Sequence, residues 1–293
     1  MNASTQAANS HSYKVGDIEI IAVTDGQRVA PVADGFVTNV PLDQVKAALD
    51  ADGMPKGQFT TIFTPTVIKT GGKTILVDTG MGAAASQQPN ATVGFLTKNM
   101  AAAGIDPNTV DVVVISHFHG DHVNGLWASE GVLAFPNAEI TVPENEWKFW
   151  MDDGEMARAP KGRMEDLFKN NRKIFDPINA RVKTHAWDRE VAAGMMAVGT
   201  PGHSIGHTSY MVSSGSQNVF LIQDVSNHPA LSLHNPHWHP WFDQDPVQAE
   251  KTRRKTLDML VTDKLPIQAF HFPFPGRARI EKQGDKYREV PIA

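Results

Sequence analysis

The sequence predicts an α/β fold in one composite domain, and three observations carry that prediction. Short β-branched segments alternate with helical ones along the 293 residues. One of them, "DVVVIS" at 111–116, is apolar without interruption, the pattern of a strand buried on both faces. No fixed period repeats, and no Gly/Ser/Pro-rich linker divides the chain.

Residues 1–12 read as a flexible polar tail, natural or left after removal of a leader, because "MNASTQAANSHSYKVGD" lacks the apolar stretch of a secretory signal. The domain is expected over 13–293. "DIEIIAVTDG" alternates as an early strand closed by Asp25-Gly26. "TTIFTPTVIKTGGKTILVDTG" reads as strands around a Gly71-Gly72 hairpin turn. In "ATVGFLTKNMAAAG", Val93, Leu96 and Met100 share a helical face that stops at Gly104, with Pro107 beyond. After "DVVVIS" come the strand-like "AEITV", "MMAVGT", "TSYMVSS", "NVFLIQ" and "PIQAFHF". One helix is expected from Asn145 to Trp150, and another from Asp245 to Leu260 with Pro246 in its first turn. The charged, Met-containing stretch 151–185 reads as an inserted lid.

Composition narrows the function classes. Hydrophobic residues make up 41% and charged ones 20%, a globular balance, and the formal net charge of −5 offers no basic face for nucleic acid. No apolar run approaches the roughly 18 residues of a membrane span. A soluble protein of the cytoplasm or periplasm, acting on a small molecule and compatible with a homodimer, is the expectation. Cysteine is absent, so any metal must rest on nitrogen and oxygen donors.

Those donors cluster. "VISHFHGDHVNG" carries His117, His119, Asp121 and His122 directly after the buried strand. In an extended segment alternate side chains share a face, so His117 and His119 can reach one ion, while Asp121 and His122 fall where the chain turns and serve a neighbouring position. His203 follows a strand in "VGTPGHSIGHTSY", Asp224 ends "VFLIQD" and His271 ends "IQAFH". Open α/β sheets gather their sites at such strand ends. Five histidines and two aspartates make a set sized for two divalent ions.

"HFHGDH" has the form His-x-His-x-Asp-His and resembles the signature of the metallo-β-lactamase superfamily, with "ILVDTG" before it and "TPGHSIGHT" after it in matching order. "LAFPNAEI", "PGHSIGHTSY" and "FHFPFPG…YREVPI" are similar to the methyl parathion hydrolase branch, whose relatives include lactonases and aryl esterases. The resemblance implies an αββα sandwich, two mixed sheets between outer helices. It implies one metal on His117, His119 and His203, and the other on Asp121, His122 and His271. Asp224 would bridge them together with a hydroxide, which acts as nucleophile, and Asp121 and Asp224 would take part in catalysis. Zinc is expected first, with manganese, cobalt and iron also suited to these donors. Asp78 and His207 would sit behind the ligands, His207 as a buried structural group.

The implied activity is hydrolysis of uncharged esters or lactones, with an acyl-homoserine lactonase or an organophosphate hydrolase as the alternatives. An iron-dependent persulfide dioxygenase shares the motif but keeps one metal. Two departures touch the pocket: the loop "MGAAASQQPN" has no aromatic, and Arg277-Ala278 stands where the family tends to show Gly-His, so phosphotriester cleavage is expected as a side activity. Trp150 reads equally as core at helical spacing and as pocket by alignment, and Phe168 is a similar case. With Trp238, Trp241 and Phe272 they are expected to form an aromatic rim. No cation lies within the ligand motifs, Arg277 being the nearest in sequence, and this favours an uncharged substrate. "HNPHWHPWF", with His234, His237 and His239, reads as a loop at the mouth of the site.

Overall fold

In the computed structural model, which describes residues 9–292, two seven-stranded mixed sheets lie face to face. The first runs, in spatial order, Ser10–Val15, Ile18–Val23, Thr66–Thr70, Lys73–Val77, Val112–Val114, Glu139–Pro143 and Val182–His185. The second runs Glu190–Ala192, Met195–Gly199, Thr208–Ser214, Gln217–Leu221, Ile267–Gln268, Arg277–Gln283 and Lys286–Pro291.

Strand patterning dictates this layering. Ile20, Ile68, Ile75, Val77 and Val114 of the first sheet meet Met195, Tyr210, Val212, Val219 and Leu221 of the second in one buried cluster. Each such side chain contributes about 1.5–3 kcal/mol by leaving water. The run "DVVVIS" is apolar throughout because its strand is covered twice. Val112 and Val114 face the other sheet, while Val113 and Ile115 face the helices. Helices Leu96–Ala102, Glu144–Trp150 and Arg163–Phe175 cover that outer side through Leu96, Met100, Trp150, Phe168 and Phe175. Helix Pro246–Thr262 covers the second sheet, packing Leu257 and Leu260 against Phe220, Ile267 and Phe272. Helices therefore flank two sheets, the αββα sandwich that the resemblance implied.

Local signals account for several boundaries. The hairpin turns at Gly71-Gly72, with Thr70 paired to Lys73 and both glycines at positive φ. Asp245 caps the helix after it, accepting from the Gln248 N–H at 2.9 Å, and Pro246 fills the first turn, where a missing N–H costs nothing.

Other boundaries differ from expectation. The first strand starts at Ser10, inside the segment read as tail, and pairs antiparallel with Ile18–Val23. Its polar edge residues hid it; residues 1–8 of that segment lie outside the described ones. "PIQAFHF" contributes only Ile267–Gln268 to the sheet, because Ala269 onward bends away. The stretch 151–185 supplies helices Asp153–Arg158 and Arg163–Phe175, and the latter buries Phe168, Ile174 and Phe175 in the main core. No described helix is long and apolar enough to cross a membrane.

The topology leaves one edge rich in polar ends. Val77, Val114, Leu221 and Gln268 all close strands in parallel pairs, and Asp78, His117, Asp224 and His271 follow them within three residues.

Candidate metal centre

After Val114 the chain bends at Ser116 and runs on to His119, which has extended φ and ψ and stands as the N-cap of the short helix Gly120–Val123. Phe118 points the other way into the core and stacks on Phe175, ring centroids 4.3 Å apart. The alternation puts His117 and His119 on one side: His117 Nε2 lies 3.1 Å from His119 Nδ1, which lies 2.8 Å from His203 Nε2. The following helical turn aims Asp121 and His122 at a second point. Asp121 Oδ2 is 3.5 Å from both His122 Nε2 and His271 Nε2.

Asp224 stands between the two groups. Its Oδ1 is 3.2 Å from His122 Nε2, and its Oδ2 is 3.1 Å from His203 Nε2 and 3.2 Å from His271 Nε2. Six of the seven donor residues are buried, and the Asp121 side chain is 22% exposed toward the cavity.

These donors fit cations rather than one another. His122 Nε2 and Asp224 Oδ1 are buried without a hydrogen-bond partner although they face each other, an arrangement that a shared ion satisfies. Burial pushes His117 and His119 well below the usual imidazole range. Burial also opposes charge on His122 and His203, yet neighbouring carboxylates, Asp224 foremost, pull both up, His203 to about 9. Asp224 itself is held well below the carboxylate range, burial being outweighed by His271, His122 and His203. The cluster calls for positive charge at its middle, and imidazole with carboxylate suits zinc and its neighbours.

Buried groups behind the donors fix their orientation. His122 Nδ1 is 2.8 Å from Asp78 Oδ2, and Asp78 also accepts from the Ser116 N–H, the Ser116 hydroxyl and the Gln223 amide. Asp78 and Gln223 both hold positive φ, 60° and 48°, a strained backbone that costs roughly 1 kcal/mol or more each; Asp78 reaches His122 and the Gln223 amide reaches Asp78. His271 Nδ1 donates to the Ile62 carbonyl at 2.6 Å. His207 is buried, and its Nε2 accepts from the Asp224 N–H at 3.0 Å, so that nitrogen is engaged by the backbone it positions.

Two carboxylates escaped sequence reasoning. Asp243 Oδ1 lies 2.8 Å from His203 Nδ1, and its Oδ2 accepts from the buried Arg253 guanidinium at 3.1 Å. Nothing distinguishes Asp243 in sequence from the capping Asp245 two residues on. Glu146 is fully buried and accepts from Phe118 N, Trp150 Nε1, Ser204 Oγ and Gly206 N, tying the His117–His119 segment to the His203 loop.

The aromatic rim needs correction. Only Trp241 of the five expected residues lines the cavity above the donors, a space of about 330 Å³. Trp150 and Phe168 are buried in the core under the outer helices, Trp150 donating to Glu146 at 2.8 Å. Phe272 packs beneath Leu257 and Leu260, and Trp238 packs against Val32, Val45 and Leu231. Helical spacing turned the first two inward, and the departure of the chain from the second sheet turned Phe272 to its outer side. The real walls include Phe63, Met81, Leu167 and Phe242. They continue into an adjoining trough of about 580 Å³ lined by Phe36 and Phe59. The cavity also holds cations, Arg28 and Arg163, which removes the premise for an uncharged substrate. Arg277 instead lies over the Tyr13 ring, 4.0 Å from its centroid. In the loop 234–242, His234 pairs with Asp52 and His239 with Glu250.

Residues 64–266 match the family described as the metallo-beta-lactamase superfamily. The N-acyl homoserine lactonase of Bacillus cereus is 26% identical over 163 residues, 50% of this chain and 57% of that protein. The chain therefore spans little more than half the length of that relative. Among solved structures, the hydrolase AbOPH in the beta lactamase superfamily is 28% identical over 99% of both chains, with a TM-score of 0.88. The fold is equally similar, TM-score 0.88, to AidC, a dizinc quorum-quenching lactonase, at 24% identity over 97% of this chain and 98% of that one.

Proposed function

The chain belongs to the metallo-beta-lactamase superfamily, and from that premise we propose that it is a binuclear metal-dependent hydrolase of esters or lactones. The observation that carries the proposal is Asp224, whose two oxygens reach donors of both groups at 3.1–3.2 Å. His117, His119 and His203 would hold one ion, Asp121, His122 and His271 the other, with Asp224 between them. Zinc is the first candidate, given the donor set and the dizinc relative AidC.

Two divalent ions so held supply Lewis acidity toward a carbonyl and lower the pKa of water. The chain's own residues prepare that chemistry. Asp78, Asp243 and the Ile62 carbonyl engage Nδ1 of His122, His203 and His271, so their Nε2 lone pairs face inward. Asp121 is the donor carboxylate more open to the cavity, 22% exposed against 3% for Asp224, so it is placed to take a proton from the attacking water and pass it to a departing alkoxide or phenolate. Phe63, Leu167 and Phe242 exclude water and bury apolar substrate surface at about 25 cal/mol per Å².

Within this class the acyl-homoserine lactonase reading is supported by the Bacillus cereus relative and by the trough beside the cavity, which has room for an acyl chain. The motifs quoted for the methyl parathion hydrolase branch support phosphotriester cleavage as a side activity.

The test is metal content together with kcat/KM on one zinc-loaded preparation, for dihydrocoumarin, an acyl-homoserine lactone, paraoxon and a cephalosporin. Two metal ions per chain are expected, with a lactone or aryl ester as the best of the four substrates, in keeping with the lactonases the chain resembles. A cephalosporin as best substrate would overturn the substrate class. One iron per chain with oxygen uptake on a persulfide would overturn the hydrolase.

A further inference from the structure

We propose that Arg163, assisted by Arg28, recognises an anionic group on the substrate, so that the preferred ester or lactone carries a carboxylate or similar anion beside its scissile bond. This rests on the hydrolase reading of the cavity, and within that reading it favours an anionic ester or lactone over the uncharged acyl-homoserine lactone.

Arg163 is the first residue of helix Arg163–Phe175 and lines the cavity. Its Nη2 donates to the Phe242 carbonyl at 2.7 Å, and its guanidinium lies over the Trp241 ring, 5.0 Å from the centroid. The fork is thus held in place and aimed. Arg163 is partly buried there, and two costs come with that position. The N-terminal turn of a helix disfavours a cation. Among the described residues no carboxylate comes within ion-pair distance of it. Asp243 acts on it only from farther off and is already engaged by His203 and Arg253. A partly buried charge lacking an internal counter-ion is stabilised by an anion supplied from the cavity.

The contact with His119 points the same way. Arg163 Nη2 lies 3.2 Å from His119 Nε2, while His119 Nδ1 faces His117 and His203. An imidazole that coordinates through Nδ1 keeps its proton on Nε2. Two donors would then face each other, and the Arg163 N–H must find its acceptor elsewhere, on the cavity side.

Arg28 stands on another wall, in strand Gly26–Pro31, and lines both the cavity and the trough. The acidic groups facing the same space are Asp121 and Asp224 at the donor end and Asp34 in the trough. Neither arginine is within ion-pair distance of them. A planar fork presents parallel N–H groups that match a carboxylate, which a lysine would not.

The experiment compares 4-acetoxybenzoate with 4-acetoxybenzamide on the zinc-loaded enzyme: same acetyl ester, same ring, with and without charge. Wild type should favour the anion by about tenfold or more in kcat/KM, in keeping with hydrogen bonds to a charged group. Arg163→Gln should erase the preference mainly through KM, Arg163→Lys should keep part of it, and Arg28→Gln should reduce it less. Calorimetric binding of 4-hydroxybenzoate against 4-hydroxybenzamide to the zinc-loaded protein gives a readout independent of turnover. Equal rates on the two esters, or a preference that survives Arg163→Gln, overturns the anion site and leaves the hydrolase standing. If neither ester is cleaved but 4-hydroxybenzoate binds and Arg163→Gln and Arg163→Lys weaken it, the anion site stands and the ester reading falls. Failure of both cleavage and binding overturns both.

Discussion

Glu146→Gln should loosen one metal group and spare the other. Four donors converge on this carboxylate: Phe118 N at 3.0 Å and Trp150 Nε1 at 2.8 Å on Oε2, Ser204 Oγ and Gly206 N, each at 2.6 Å, on Oε1. Glutamine offers one acceptor oxygen and one amino group. Facing the amino group toward Phe118 and Trp150 orphans two fixed donors. Facing it toward Ser204 and Gly206 orphans one, since the serine hydroxyl can rotate to accept. The second arrangement costs about 1–3 kcal/mol for the stranded Gly206 N–H, plus roughly 1 kcal/mol for each bond that loses charge assistance. Some of that is offset, because burial outweighs the four donors in raising the Glu146 pKa and glutamine has no charge to bury. A net loss of about 2–3 kcal/mol follows, a fall in Tm of about 3–5 °C for a chain this size. Phe118 lies between His117 and His119, and Ser204 follows His203, so all three donors of the first group sit on the loops that Glu146 joins. Urea unfolding of the metal-free protein measures the first effect, and chelator competition on the zinc-loaded protein measures the second. An unfolding free energy within about 0.5 kcal/mol of wild type, or equal weakening of both metal groups, would refute the reasoning.

Asp224→Ala should lower occupancy of both ions and nearly abolish turnover, whereas His207→Ala should mainly reduce stability; metal analysis after dialysis decides, and the reverse pattern would mean the donor assignment is wrong. His228 is held at about 3, by burial first and by His271 and His234 after it. Below its unfolded value near 6.5 the unfolded chain takes up a proton that the folded protein refuses, so its contribution is complete above that pH and lost as pH falls toward 3. His228→Asn, which keeps an acceptor for the Ala230 N–H, should therefore lose about 2 kcal/mol less than wild type between pH 7 and pH 5 in urea titrations. Gly125→Ala would set a Cβ 1.8 Å from the Thr79 carbonyl oxygen, in the turn whose Thr79 N–H and hydroxyl both bond the His122 carbonyl. It should cost about 3 kcal/mol in thermal unfolding, and a neutral effect would show that this turn yields easily.

Strands and helices with one dominant local signal were readable. The double burial of Val112–Val114 wrote an unbroken apolar run, and Asp245-Pro246 wrote a helix start. Edge strands wrote little. Ser10–Val15 and the hairpin Arg277–Gln283 with Lys286–Pro291 carry polar and charged residues on exposed faces, so their pattern resembles that of a loop. "PIQAFHF" misled because its apolar residues serve two ends. Ile267 belongs to the sheet, whereas Phe270 packs on Phe63 and His122 and His271 turns into the site.

The donors and the cavity differ in how each is encoded. A metal ligand must be one of a few residue types and must sit at a strand end, so rare residues at predictable places announce it. A wall or counter-charge needs only the right surface at the right point in space. Arg28 reaches the cavity from a two-stranded sheet near the N-terminus and Arg163 from a helix far along the chain, each within an ordinary polar segment. Trp150 shows the converse. It stands four residues after Glu146, so the helical turn that brings its indole N–H to that carboxylate also takes the ring away from the substrate. The same helix therefore holds the metal loops through Glu146 and fills the core through Trp150. The walls of the cavity above come from other segments, through Phe63, Leu167 and Phe242, and substitution of those side chains should change substrate choice more than metal binding.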